Sequence, residues 1–125
     1  MTNYKNAEIG KISEIVNQEN GKVFLHDILG LTSCEISLNS VPKGFKVPFN
    51  HKHIQNEEVY IILKGNGIIT IDNNQVNVKE GSVVKIKPEA SRTIENTSEE
   101  NFQFICVQAK ENSLEQFGLS DAQLC

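Results

Sequence analysis

The sequence predicts an all-β protein, a sandwich or barrel built from many short strands. Three observations lead there. From about Gly21 onward, runs of four to eight residues rich in Val, Ile and Phe alternate with polar punctuation. That punctuation consists of turn formers: Leu29-Gly30, Pro42-Lys43-Gly44, Gly65-Asn66-Gly67, Asp72-Asn73-Asn74, Lys79-Glu80-Gly81, Pro88 and Thr97-Ser98-Glu99-Glu100-Asn101. Gly, Asn and Asp tolerate the left-handed backbone of tight turns, and Pro fixes the turn-entry angle. Helical periodicity is weak and confined to the two ends of the chain.

Taken in order, the expected strands are Val23–Ile28, Ser33–Leu38, Lys46–His53, Glu58–Leu63, Ile68–Ile71, Gln75–Val78, Val83–Lys87, Arg92–Asn96 and Phe102–Gln108. Ala7–Asn20 carries Ile9, Ile12 and Val16 at helix-compatible spacing, and Ser113–Phe117 is expected to form one C-terminal turn with Ser113 as its cap. Two strands are apolar on both faces. Val59, Ile61 and Leu63 alternate with Tyr60 and Ile62, while Phe102 and Phe104 alternate with Ile105 and Val107. A strand with one wet face alternates apolar with polar residues. These two therefore call for cover on both sides, from a second sheet or from a partner copy, and a homodimer is expected.

Composition narrows the functional classes. The chain has 125 residues, room for one domain with its own core, and 22% of them are charged. A net charge of -4 lacks the basic face of nucleic-acid binders, so no nucleic-acid partner is expected. No run approaches the roughly 18 apolar residues of a membrane span. The opening MTNYKNAEIGKISEIV shows no apolar h-region, and a cytoplasmic location with no membrane partner follows as the expectation. Cys34, Cys106 and Cys125 are odd in number and show no CxxC spacing, which reads as reduced thiols.

The chemistry concentrates in HKHIQNEEVYIILKG, residues 51–65. On a strand, residues two apart share a face, so His51 and His53 present both imidazoles to one side. Glu58 lies five residues beyond His53, out of phase for one continuous strand. A turn through Ile54-Gln55-Asn56-Glu57 and a hairpin would bring Glu58 opposite the pair. Two imidazoles and a carboxylate make a facial triad with open positions for water, substrate or dioxygen. That donor set suits iron, manganese, nickel or zinc. Phe49 and Val47 share the histidine face, and Tyr60 and Ile62 share the face of Glu58, which together would line an apolar cavity with a few polar groups.

These residues resemble the cupin superfamily. Its first motif is matched by Gly44, six residues, His51-Lys52-His53, four residues, Glu58, six residues and Gly65. The register implies that Glu58, not Glu57, is the acidic ligand. The second motif is similar to Gly81 through Asn96, with Pro88 in place but its second glycine shifted or lost, and with Arg92 where the family carries its histidine ligand. The resemblance covers about residues 30–109. It implies a double-stranded β-helix, or jelly-roll, barrel with minor helical turns at the termini, in a single domain over 1–125 with its barrel core at about 21–109 and a tail at 110–125. It further implies isomerase, epimerase or oxygenase chemistry if the protein is an enzyme.

Arginine has no lone pair for a metal. Three placements of Arg92 stay open: facing the open metal positions and binding an anionic substrate, pairing with Glu58 in a metal-free site, or turning outward. The expectation is a divalent metal on His51, His53 and Glu58, with Arg92, Tyr60 and Phe49 binding a small molecule, an anion above all. The alternative is a metal-free, non-catalytic module for a sugar or anion.

Overall fold

The computed structural model describes residues 3–17 and 21–125. Eight strands among them form two antiparallel sheets. One has the order β1 (Lys22–Phe24), β2 (Glu35–Val41), β8 (Phe102–Lys110), β3 (Asn56–Lys64), β6 (Val83–Ile86). The other runs β5 (Asn74–Val78), β4 (Gly67–Ile71), β7 (Arg92–Asn96). Together they make the expected jelly roll.

Alternation decides what is inside. Tyr60 and Ile62 of β3 and Phe102, Phe104 and Cys106 of β8 point inward, where they meet Ile69 of β4, Val78 of β5 and Ile94 of β7. Their neighbours Val59, Ile61, Ile105 and Val107 form the outer face and are half-buried. The amino-terminal segment crosses the outer face, where Gln103 Nε2 donates to Ser13 O at 3.2 Å. The two-faced apolar pattern thus reflects a core on one side and partial cover on the other.

The connection from β3 to β4 depends on two glycines. Gly65 has φ 83, and a Cβ there would stand 2.8 Å from Asn101 O. A Cβ on Gly67 would meet Glu95 O at 2.8 Å and the Phe102 ring at 2.9 Å. Only the residue without a side chain lets the chain pass between the sheets here.

Several element expectations are corrected. The first strand stops at Phe24, and Leu25–Leu29 forms a short helix, α1, closed by Gly30 at φ 67. Leu25, Ile28 and Leu29 have helical spacing, and a left-handed glycine is a common helix stop. β2 begins at Glu35 and runs on to Val41, where Pro42 follows without an N–H to donate. Lys46–His53 is not a strand; it touches the second sheet only through single bridges, Lys46 to Glu95 and His51 to Arg92. At the amino end a 3₁₀ helix covers Ile12–Asn17, and residues 18–20 of the expected helix lie outside the described residues. The C-terminal turn forms at Leu119–Asp121 rather than at Ser113–Phe117.

Candidate metal centre

The pleat of β3 sends Glu58, Tyr60 and Ile62 into the barrel, and all three are buried. The histidine segment arrives from another direction than expected. His51 N donates to Arg92 O at 3.0 Å, Arg92 N donates back to His51 O at 2.9 Å, and His53 N donates to Pro88 O at 2.9 Å. The segment is therefore stitched along β7 and the turn before it instead of forming a hairpin with β3. Barrel closure still brings the three side chains together. One donor atom from each of His51, His53 and Glu58 lies within 4.8 Å of the others.

Glu58 divides its two oxygens. Oε1 accepts from Arg92 Nη1 at 2.8 Å and from the Tyr60 hydroxyl at 3.0 Å. Oε2 accepts from the Cys106 thiol at 3.3 Å and lies 3.2 Å from His53 Nε2. That last approach is off the line a ring N–H would need, so the buried Nε2 keeps no hydrogen-bond partner. A buried nitrogen facing a carboxylate oxygen without a bond between them is an unusual arrangement for a core, where polar atoms are normally paired. It is what a divalent ion shared by the two atoms would complete, and the donor set fits such an ion.

Arg92 is wholly buried. Besides Glu58 it donates through Nη2 to Lys87 O at 2.6 Å and to Ala90 O at 2.9 Å. Of the three placements left open, the guanidinium takes the one that pairs with Glu58. Since it occupies Oε1 alone, this pairing leaves Oε2 and both imidazoles available. A partner that fixes a ligand's far oxygen also orients the ligand.

The electrostatics favour ligation at neutral pH. Burial lowers the proton affinity of His51, and Arg92 adds to this against the opposing pull of Glu58, so the imidazole keeps its lone pair. Burial raises the Tyr60 hydroxyl far above its ordinary range, with the Glu58 charge acting in the same direction. Tyr60 therefore stays protonated and serves as a donor. The Cys106 thiol is likewise raised, first by burial and then by Glu58.

For Glu58 burial acts upward, but the hydrogen bond from Tyr60 and the neighbouring charges outweigh it and hold the carboxyl below its ordinary 4.5. Its stabilising effect is thus complete above that ordinary value and disappears as pH falls through the lower folded value. In metal-free protein, the urea midpoint of wild type is expected to exceed that of Glu58→Gln at about pH 6 and to converge on it towards about pH 3. A pH-independent gap would show that the carboxylate is not held in its charged form.

The centre opens into a cavity of about 610 Å³ between the sheets, lined by His51, Glu58, Tyr60 and Phe49 among others. Phe49 stands at the mouth, 61% exposed. Arg92 does not line the cavity; its Nη1 and Nη2 are spent on the protein, and its buried Nε has no partner. The sequence leaves open which way Cys106 faces, and the register of β8 against β3, pairing Cys106 with Tyr60, turns it inward. Ser37 and Asn39 also line the cavity and drew no attention in the sequence: Ser37 is one polar residue among several in its expected strand, and Asn39 lies beyond the expected end at Leu38.

Residues 38–108, more than half of the chain, match the cupin domain family. The chain is a cupin. A cupin protein of Bacteroides fragilis is similar over 100% of this chain and 99% of its own, at 38% identity and a TM-score of 0.88. A predicted oxalate decarboxylase of Thermotoga maritima is 31% identical, over 60% of this cupin and 64% of its own chain, with a TM-score of 0.57. Over 66 residues, 53% of its length, this cupin is 39% identical to an uncharacterized protein of Methanocaldococcus jannaschii, and it spans about half, 52%, of that relative. Among the described residues no helix is long and apolar enough to cross a membrane.

Proposed function

We propose that this cupin holds a divalent metal ion on His51, His53 and Glu58 and uses it to bind and transform a small anionic molecule in the barrel cavity. The observation that carries the reading is His53 Nε2, buried without a hydrogen bond 3.2 Å from Glu58 Oε2. Iron, manganese, nickel or zinc would suit the donors. A metal so held supplies Lewis-acid polarisation of a bound oxygen. The chain's own residues do the rest. Arg92 and Tyr60 anchor Glu58, and Arg92 acts on the ligand through that carboxylate. Phe49 covers the apolar part of the ligand at the mouth.

Charge balance favours an anion. Arg92 already cancels Glu58, so a dication leaves the centre net positive. A small acid also agrees with the description of the Thermotoga maritima relative as a predicted oxalate decarboxylase. The half-buried outer face of β3 and β8 supports the homodimer expected from the sequence.

The second reading is a metal-free ligand-binding module, favoured by the 2.8 Å Arg92–Glu58 bond, which already satisfies the acid. Arg92→His separates the two. With the side chain inside the barrel, the substitution adds a fourth donor and removes a buried cation, and Co2+ affinity is expected to rise at least about tenfold. Equal, negligible uptake by wild type and variant in a cobalt titration would favour the module.

A further inference from the structure

We infer that Lys22, Asn39 and Ser37 form a distal subsite that takes the far end of a two-ended ligand, a small hydroxylated acid with a second anionic group opposite its metal-binding end. The inference rests on the reading above and names the ligand class for the same cavity.

The sheet register supplies the map. Along one row of inward residues, Tyr60 pairs with Cys106, Cys106 with Ser37 and Ser37 with Phe24. In the next row Ile62 pairs with Phe104, Phe104 with Asn39 and Asn39 with Lys22. Neighbouring strands stand about 4.8 Å apart, so Ser37 and Asn39 lie about 10 Å along the wall from β3, and Lys22 about 14 Å. Ser37, Asn39 and Lys22 all line the cavity that Glu58 and His51 line at its other side.

The polar wall has hydrogen-bonding capacity to offer a ligand. Asn39 is 4% exposed, and its Nδ2 donates to Ser37 O at 3.2 Å and to Ser37 Oγ at 3.0 Å. These bonds fix the amide so that Oδ1 is left as an acceptor, and no described residue donates to it. Oδ1 is not sealed from solvent but faces the cavity that Asn39 lines, where a ligand hydroxyl would donate to it. Beside it stands Lys22, whose Nζ lies 5.8 Å from the Phe24 ring centroid, at the cavity edge. Glu58 is the only acid among the described residues of the lining, and Arg92 neutralises it. Both ends of the cavity therefore prefer negative charge, with a hydroxyl-reading amide between them.

The test uses isothermal titration of zinc-loaded protein with gluconate, glucarate and 6-phosphogluconate. The three share a hydroxylated chain and a carboxylate, and differ at the far end in having a neutral hydroxyl, a second carboxylate or a phosphate. At least one two-ended acid is expected to bind about tenfold or more tightly than gluconate, and the stronger of the two identifies carboxylate or phosphate as the preferred group. Lys22→Gln, at an exposed position, is expected to abolish that advantage. Asn39→Leu is expected to weaken all three acids alike; if it fails to fold, the Lys22 arm decides. Equal affinity for the three acids, or an advantage that survives Lys22→Gln, would overturn the subsite. Zinc uptake without any such advantage overturns this inference and leaves the metal reading intact. An advantage dependent on Lys22 in protein that takes up none of iron, manganese, nickel and zinc supports the subsite and rejects the metal.

Discussion

Arg92→Met is expected to lower the free energy of unfolding by about 3–5 kcal/mol, read as a shift of the urea midpoint at neutral pH in the presence of chelator. The magnitude follows from what the side chain does. It is wholly buried and supplies the cation that faces Glu58 at 2.8 Å. It also supplies the donors that hold the carbonyls of Lys87 and Ala90. Methionine fills similar volume but leaves Glu58 charged, buried and reliant on Tyr60 and Cys106. Removing one member of a buried pair costs more than the pair contributes, because the survivor keeps its desolvation penalty. Glu58→Gln combined with Arg92→Met is therefore expected to be more stable than Arg92→Met alone. A single variant as stable as wild type would mean that the guanidinium is solvated and the pairing incidental.

His53→Ala is the second large effect, and it falls on binding instead of stability. Its Nε2 makes no hydrogen bond in the fold, so truncation removes none and is expected to cost little in the urea midpoint. Loss of an outer-sphere partner weakens metal binding about 10–100-fold, and loss of a direct donor from a set of three is expected to exceed that, measured as Co2+ affinity by competition with a chelating dye. The opposed responses are diagnostic. A purely structural histidine would show the reverse, with a lowered midpoint and unchanged metal uptake.

The later strands and the centre were legible for different reasons. β3 through β8 could be read directly, because turn formers bracket each apolar run and turn chemistry is local. The segment Leu25–Leu29 was not, since five mostly apolar residues fit a strand and a helical turn equally well, and a left-handed Gly30 can follow either. Lys46–His53 has the alternation of a strand but is tied to β7 at single points, a tertiary fact that no local pattern carries.

The grouping of His51, His53 and Glu58 was expected from strand spacing and from the cupin motif, although by the wrong route. A hairpin was expected to oppose His53 and Glu58, whereas the histidine segment reaches Glu58 by lying along β7. The outcome is the same because both paths end inside the barrel. The splitting of Glu58 between Arg92 on one oxygen and His53 and Cys106 on the other was not readable. It depends on which rotamers fill the core, and that is settled by packing among strands distant in sequence.

What joins fold and function is that a buried acid, already neutralised by arginine on one oxygen, still presents its other oxygen to His53, with a His51 nitrogen within 4.8 Å of the group. The most direct test is elemental analysis of protein purified without a histidine tag. Close to one equivalent of iron, manganese, nickel or zinc per chain is expected, and none in His51→Ala. Protein that emerges free of these metals and then declines every one of them on titration would contradict this expectation.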